Sequence, residues 1–325
     1  MIRIKRERKV KYGKIIGAAV TAVVLTAGPA LAQTVGLGST TRGGTSQIGK
    51  SISAVVSEAS KLQMRPQEMA NTADYMPLVN AGQIEFGIAN QVQTWFAYNG
   101  TGMSAGKPMK NLRIASVLMP FRAGWIVPKS SGITSMKGMK GKRMPLFKDG
   151  TLGDHVLKAF LANAGMTYDD VVPVPVPNFP RMWNSFKQGS TDGTLVVVGS
   201  KTNREMDATV KGGVRFISFD ADNLGVMHKW MPGMELYPAM PSPKLPGVVE
   251  KTNVMMYDYL FFANDKTSDD QVYEAVKALY NSEKKLLASG PFWKGFTGKR
   301  MANKVGLPYH PGAIKFYKEM GIWKD

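Results

Sequence analysis

The sequence predicts an α/β protein of two lobes, each with a mostly parallel β-sheet flanked by helices. Short runs typical of strands alternate with amphipathic helical runs along most of the chain. The same alternation starts again after about residue 112, which indicates a second unit of the same kind. The chain of 325 residues is also longer than one hydrophobic core usually supports.

The N-terminus has the pattern of a signal peptide. Residues 1–14 hold seven Lys or Arg and one acid, and an apolar run follows, ending in the small-residue motif that closes at Ala32. This pattern predicts a cleaved leader over residues 1–32, export to the periplasm and a mature chain from Gln33. An uncleaved anchor is the competing interpretation, but the run is short for a membrane span and contains a Gly-Pro pair.

The net charge and the lack of cysteine limit the classes of binding partner and of chemistry. Without the leader the formal charge falls from +18 to +12, so the mature chain is still basic. For an exported protein this favours an anionic solute or a membrane-protein partner over nucleic acid, although a merely solvated basic surface remains the alternative. The chain has no cysteine, which excludes disulfides, thiolate catalysis, cysteine zinc sites and a lipid-modified N-terminal cysteine.

The predicted elements divide into two lobes. The first has strands at 33–38, 63–69 and 84–89 and helices at 45–62, from 71 onward and at 91–98. The second has strands at 143–147, 171–176, 194–198 and 214–219 and helices at 152–164 and 179–188. Extended segments near 112–127 and 250–263 are predicted to cross between the lobes, and helices at 269–288 and 312–320 to return to the first. The expected domains are residues 33–118 plus 255–325 for lobe I and 119–254 for lobe II.

The first candidate site is the glycine and hydroxyl loop that enters the first helix. Unpaired amides and the positive end of a helix dipole make such a loop an anion site, and Gly43 and Gly44 let a carboxylate approach the backbone. Thr45 and Ser46 follow in the first turn. Simple helix capping is the alternative interpretation of the same residues.

Further candidates follow other strands, at the sheet edge where open α/β folds bind ligands. In the first lobe they are Asn71, Thr72 and Ala73, which also suit a helix cap, and Gln91. In the second lobe the loop from 148 ends at Thr151.

Four residues in or after the first crossing segment are also candidates. Arg122 can pair with a carboxylate through two hydrogen bonds, and Trp125 can pack on the solute. Asn178 and Trp183 lie where a Pro-rich edge strand passes into a helix. A surface ion pair for Arg122, core packing for Trp125 and purely structural roles for the other two are the alternatives.

The sequence offers little for catalysis. Its three histidines, His155, His228 and His310, are far apart and match no metal-ligand spacing, and no serine lies in a nucleophile elbow. His310 is expected to form hydrogen bonds at a helix start. We therefore predict no catalytic residue, no metal and no cofactor.

Four segments together resemble a known family. They are the loop 38–49, the turn Asn71-Thr72-Ala73-Asp74, the run GQIEFGIANQVQTWFAY over 82–98 and the ending YHPGAIKFYKEMGIW. This combination is similar to the TAXI family of TRAP transporter solute receptors, and the resemblance spans nearly all of the mature chain.

The resemblance implies a type II periplasmic-binding-protein-like fold whose lobes close on a small carboxylate or amino acid. It further implies delivery of that solute to TRAP membrane permease subunits by an ion gradient, with ligand contacts at 43–46 and 71–73. The chain departs from the family in one place, because Gly44-Thr45-Ser46-Gln47 stands where many members have Gly followed by a Tyr-Tyr pair.

Three alternatives stay open from the sequence. The first is a receptor for an ABC or tripartite tricarboxylate transporter. The second is an exported enzyme on the same fold, and the third is an envelope interaction protein without a small ligand.

Overall fold

The computed structural model describes Ile2 and residues 33–324. The predicted signal peptide lies outside the described residues. The ten described strands are β1 (Gln33–Thr40), β2 (Leu62–Met69), β3 (Phe86–Asn90), β4 (Leu112–Pro128), β5 (Arg143–Leu146), β6 (Val172–Pro175), β7 (Thr194–Val197), β8 (Val214–Phe216), β9 (Glu235–Ala239) and β10 (Thr252–Asn264). The ten described α-helices are α1 (Gly43–Ala59), α2 (Thr72–Asn80), α3 (Gln91–Asn99), α4 (Leu152–Asn163), α5 (Phe179–Lys187), α6 (Lys201–Thr209), α7 (Leu224–Met227), α8 (Asp269–Asn281), α9 (Glu283–Ser289) and α10 (Pro311–Glu319).

A mixed sheet connects the whole fold. Its strand order is β2-β1-β3-β10-β4-β7, with β9 on β10 and β8 on β4, while β5 and β6 pair with each other. β1 pairs in parallel with β2 and β3, and β10 runs antiparallel to β3 and β4. β6 pairs only with β5 among the described strands, which confirms the predicted edge strand at the Pro-rich run.

Hydrophobic periodicity accounts for the elements that form. In α1 the residues Ile48, Ile52, Val55 and Val56 are buried along one face, as the helical spacing predicts. The helix ends earlier than predicted because Ser60 takes an extended conformation and β2 begins at Leu62.

The buried side chains form three clusters around the two long strands. The first cluster includes residues 112–119 of β4 and 260–263 of β10 and packs them against α1, α8 and α10. The second cluster contains residues 123, 125 and 127 of β4 and residues 255 and 257 of β10, and the third adds residues 126 and 254. β4 and β10 therefore run from one core into the next, as predicted for the crossing segments.

Some elements differ from the prediction. The helix expected over 269–288 is divided into α8 and α9 at Ser282. α6, α7 and β9 were not predicted. Val92 and Phe96 of α3 pack in the second cluster rather than in the first, so this helix bridges the two cores.

Candidate ligand-binding site

The start of α1 has no side-chain cap, and its first residue, Gly43, is exposed. Gly43 has φ +82°, in the left-handed region that favours glycine, and no atom lies within 4 Å of where its Cβ would be. The residue before it, Arg42, is extended, and its side chain makes no hydrogen bond to the helix. The first amides of the helix therefore have no capping side chain among the described residues, and they lie at the positive end of the helix dipole.

This open start distinguishes α1 from the other described helices of eight or more residues. α2 carries a capping box between Asn71 and Asp74. The remaining ones begin with a side chain that accepts a hydrogen bond from their own first turn: Asn90, Thr151, Asn178, Ser200, Ser268 and His310. The last of these confirms the hydrogen-bonding role predicted for His310.

Two aromatic residues from distant parts of the chain flank the α1 start. The Thr45 Oγ1 and Tyr259 Oη atoms lie 3.2 Å apart, within hydrogen-bond distance. The Phe292 ring lies 3.2 Å from where a Cβ on Gly44 would be. Tyr259 is half-buried on β10, and burial raises the pKa of its phenol above the ordinary value, so it is a neutral hydroxyl at physiological pH. The ring of Phe121 on β4 lies 6.0 Å from that of Tyr259.

Ser46 is already engaged inside the protein. Its side chain is buried, and its hydroxyl donates to Glu68 Oε1 at 3.2 Å. The Lys50 ammonium lies 3.3 Å from the same carboxylate oxygen. Ser46 therefore anchors α1 to β2.

The α2 start is closed by the protein's own carboxylate. The Asn71 backbone N–H donates to Asp74 Oδ2 at 2.9 Å, so a negative charge already lies at this helix terminus. Thr72 is nearly buried, while Ala73 is exposed. The segment therefore caps its own helix, which is the alternative given from the sequence. The Asp74 carboxylate offsets the positive end of the α2 dipole, so little positive field remains for an incoming anion.

The α4 start is closed in a similar way. The Thr151 hydroxyl donates to the Lys148 carbonyl at 2.8 Å, and the Gly150 N–H donates to Asp154 Oδ2 at 3.0 Å. Asp154 is buried and pairs with Lys158 at 2.9 Å. The local charges are thus balanced without a ligand.

The second-lobe aromatic candidates are structural in the described conformation. Trp125 is fully buried in the second cluster, edge-on to Phe160, so it lies in the core instead of at a solute-accessible wall. The indole N–H of Trp183 donates to the Leu195 carbonyl at 2.9 Å. Asn178 caps α5 by accepting from the Arg181 N–H at 3.0 Å.

A polar cavity of about 200 Å³ lies beside the crossing strand β10. Gln91 lines it, and the side-chain Oε1 of Gln91 accepts from the Asp258 N–H at 3.3 Å. Asp258 forms an ion pair with Arg300, which also lines the cavity. Burial raises the pKa of Asp258 above its ordinary value, and the Arg300 guanidinium offsets part of that rise.

Arg122 lies on β4 directly opposite Met256 of β10. Its guanidinium stacks on the Tyr237 ring, 3.7 Å from the centroid, and its buried Nε has no hydrogen-bond partner among the described residues. Among the described residues it forms no ion pair within 4.0 Å, so the surface ion pair considered from the sequence is not seen there. Its charge also acts on Asp258.

The predicted site residues are therefore only partly brought together. Within residues 33–324, no hydrogen bond or ion pair joins the segments 43–46, 71–73 and 148–151. Tyr259, Asp258, Phe292 and Arg300 were not predicted as site residues. For Asp258 and Tyr259 the sequence did hold a signal, because the polar run Tyr257-Asp258-Tyr259 interrupts the mainly apolar second crossing segment.

A family of known proteins matches nearly all of the described chain. Residues 37–321 match the NMT1-like family. The chain belongs to the NMT1-like family. The match covers both cores and both crossing strands, so family membership applies to the described fold as a whole.

Solved structures of the same fold are distant in sequence. PhnD1 from Prochlorococcus marinus (MIT 9301), in complex with methylphosphonate, has a TM-score of 0.54 at 12% identity, covering 89% of this chain and 99% of that one. XAC2383 from Xanthomonas citri, seen with chloride or ATP, has a TM-score of 0.52 at 10% identity over 89% and 97%. MatC (Rpa3494) from Rhodopseudomonas palustris with bound malate has 0.51 at 11% identity over 79% and 89%. The predicted two-lobed α/β fold class is confirmed. The sheet differs from the mostly parallel one predicted for each lobe, because the long strands β4 and β10 pair antiparallel with their neighbours.

The described residues form neither a helical membrane span nor a metal-binding cluster. None of the helices within 33–324 combines the length and the apolar character that crossing a bilayer requires. In the same range, no three His, Cys, Asp or Glu side chains are grouped so as to hold a metal ion.

Proposed function

We propose that this protein is a periplasmic solute-binding receptor that captures a small organic anion by lobe closure and presents it to a membrane transporter. Family membership, the two-lobed fold and the open start of α1 support this proposal. Lobe I would comprise residues 33–118 plus 255–325 and lobe II residues 119–254, with the N-terminal 32 residues acting as the export signal.

The single observation that carries the proposal is the uncapped α1 terminus. A helix start carries about half a positive charge, and its free amides are hydrogen-bond donors for an anion. The other long helices of the described chain close their own starts, so the α1 terminus is where an external anion gains most. The Thr45 and Tyr259 hydroxyls, both beside it, can reorient towards a carboxylate.

The crossing strands provide the closure step. β4 and β10 are continuous through the first and second cores, so a change in their twist near Phe121 and Tyr259 would move the lobes as units. A solute that contacts both lobes stabilises the closed population, and the closed shape would be what the transporter recognises.

The proposed ligand class is a small organic anion, with carboxylates first. Three proteins of the same fold hold methylphosphonate, malate, and chloride or ATP, all of them anions at neutral pH. The basic composition of this chain fits the same class. Arg122 on the crossing strand would be a second contact, because a guanidinium can pair with a carboxylate through two hydrogen bonds. No catalytic group takes part in this scheme.

For the transporter we propose TRAP membrane subunits, on the resemblance of the segments 38–49, 71–74, 82–98 and 309–323 to TAXI receptors. The competing assignment is an ABC transporter. Uptake by vesicles containing the receptor and its membrane subunits would separate the two. A sodium or proton gradient should drive TRAP uptake without ATP, whereas an ABC system should need ATP hydrolysis.

The receptor function is tested by a thermal-shift screen of dicarboxylates, amino acids, sulfonates and phosphonates on the mature chain. A solute present at one hundred times its Kd should add about 2.7 kcal/mol of stability. Native mass spectrometry of the purified protein would detect a solute that co-purifies. If no anion in the screen raises the Tm and none co-purifies, the receptor proposal fails. Turnover of a bound solute would instead support the exported-enzyme alternative.

A further inference from the structure

A second cavity, of about 410 Å³, lies in the second lobe where several elements begin or end. It lies between the ends of α5 and α6, before the first residues of β5 and β7, and beside the segment that follows β4. Its volume falls within the range of small-molecule sites, which is roughly 300–1,000 Å³. We refer to it as the cationic cavity.

The lining of the cationic cavity is positively charged. Lys142, Arg143, Lys187 and Lys211 contribute to it, against one acid, Asp192. Asp192 is engaged by Arg143 at 2.6 Å, and Lys187 pairs with Glu205 at 2.7 Å. Lys142 and Lys211 are exposed and form no ion pair with any described residue, although the charge of Lys142 also acts on Asp192. The four cations still exceed the one acid of the lining.

A buried hydroxyl inside the lining is also without a partner. Thr191 is 2% exposed, and its Oγ1 makes no hydrogen bond to any described residue. Leaving a buried hydroxyl unpaired costs about 1–3 kcal/mol, so such groups normally have a partner. Because Thr191 lines the cavity, a ligand oxygen there would satisfy it.

The rest of the lining is mainly apolar, with two further hydroxyl residues, Ser131 and Thr209. Ile133, Phe186 and Val210 form part of the wall, and Ile133 and Phe186 are buried members of the second and third cores. A bare inorganic ion would leave this surface without a contact. A molecule with an apolar body would cover it while its head meets the lysines.

We propose that the cationic cavity binds an organic anion that has a carboxylate, sulfonate or phosphonate head and a compact apolar body. The head lies near Lys142, Lys211 and the Thr191 hydroxyl, and the body contacts Phe186 and Val210.

This site differs from the start of α1 and does not rest on the receptor function. α5 and α6 begin at their caps and end at the cationic cavity nine residues later. A helix of that length separates the two ends by about 13 Å. The cavity therefore lies at the opposite end of α5 from Asn178, which was predicted to contact the solute, and at the opposite end of α6 from its cap Ser200.

The probe for this site is 8-anilinonaphthalene-1-sulfonate, a sulfonate with an aromatic body whose fluorescence reports binding. The mature chain should bind it saturably, and added salt should weaken the binding because the lysines are exposed. Benzenesulfonate should displace the probe, while inorganic sulfate at the same concentration should not.

The decisive comparison uses charge-matched variants. The double variant K142Q/K211Q should weaken the probe by about tenfold or more, because charge-assisted contacts are the strong ones. The control K61Q/K107Q removes two exposed lysines that lie elsewhere and should leave probe affinity within about twofold of the wild type.

A third variant separates binding from folding. Thr191→Val removes the unpartnered hydroxyl at nearly constant shape, so it should leave the Tm unchanged or raise it. The same change should weaken the probe by roughly three- to tenfold. Equal probe affinity in K142Q/K211Q and the wild type would overturn the proposal, as would equal weakening in K61Q/K107Q or equal displacement by sulfate. None of these results bears on a solute bound at α1, so the two proposals fail independently.

Discussion

Replacing Gly43 with alanine tests whether the α1 start is the solute site. Gly43 has φ +82°, and an L-residue in the left-handed region costs roughly 1–2 kcal/mol. A matched control exists in Gly165, which has φ +68°, is equally exposed, and likewise has no atom within 4 Å of its Cβ position. Both variants should therefore lose similar stability, roughly 2–8 °C in Tm for a chain of this size.

Solute affinity should separate the two variants. In Gly43→Ala the added methyl projects into the space where an anion would approach the first amides of α1. Losing one hydrogen bond to a charged group costs about 1.5–3 kcal/mol, which corresponds to roughly 10- to 150-fold in Kd. Gly165→Ala changes nothing near that terminus and should bind as the wild type does.

Isothermal titration calorimetry with the anion that stabilises the wild type most in the thermal-shift screen measures both affinities. The Tm of each variant, taken without solute, verifies that the backbone strain is comparable. If Gly43→Ala and Gly165→Ala bind this anion with the same Kd, the uncapped start of α1 is not the solute site, and the reasoning from its free amides is wrong.

Three further changes test the fold. Although partial burial raises the pKa of Asp192, the hydrogen bonds and charge of Arg143 bring it below its usual value. The stabilisation by the Asp192 carboxylate is therefore present above the unfolded pKa of about 3.9 and is lost as the pH falls through the folded pKa. Urea titrations should show Asp192→Asn to be less stable than the wild type at pH 7, with the difference closing in acid. A difference that stays constant with pH would contradict this. Ser268→Ala removes the α8 cap and should lower the free energy of unfolding by about 1 kcal/mol, measured in urea, whereas an unchanged midpoint would show that the cap is redundant. Gly87→Ala places a Cβ 2.5 Å from the Phe262 ring and should cost about 1–3 kcal/mol by calorimetry, and a fully stable variant would mean that the ring can shift.

The sequence predicted most of the architecture because periodicity is a local property. The apolar spacing of α1 and the apolar runs that became β4 and β10 follow from which side chains avoid water. Short or polar elements were missed for the same reason. α6 has the polar sequence KTNREMDAT and few apolar positions, so its pattern carries little information.

The candidate site was harder to predict, because one residue pattern serves two purposes. Asn71 and Thr151 have the sequence of helix-start residues that could bind a ligand or close their own helix. Which they do depends on whether Asp74 and Asp154 turn back to the first turn, and in the described structure both do. Similarly, the sequence shows a tryptophan at position 125 but does not show whether its side chain lines a cleft or packs in the core.

From the sequence alone came the class of fold, the two long strands β4 and β10 and the prediction of an anionic ligand, because these depend on composition and on spacing along the chain. Only the tertiary structure decided that the α1 terminus stays open and that Tyr259, 214 residues away, lies beside Thr45. It alone brought Lys142 and Lys211 to one cavity with an unpartnered Thr191. Contacts between residues far apart in sequence depend on how packed elements meet, and no local pattern encodes that geometry.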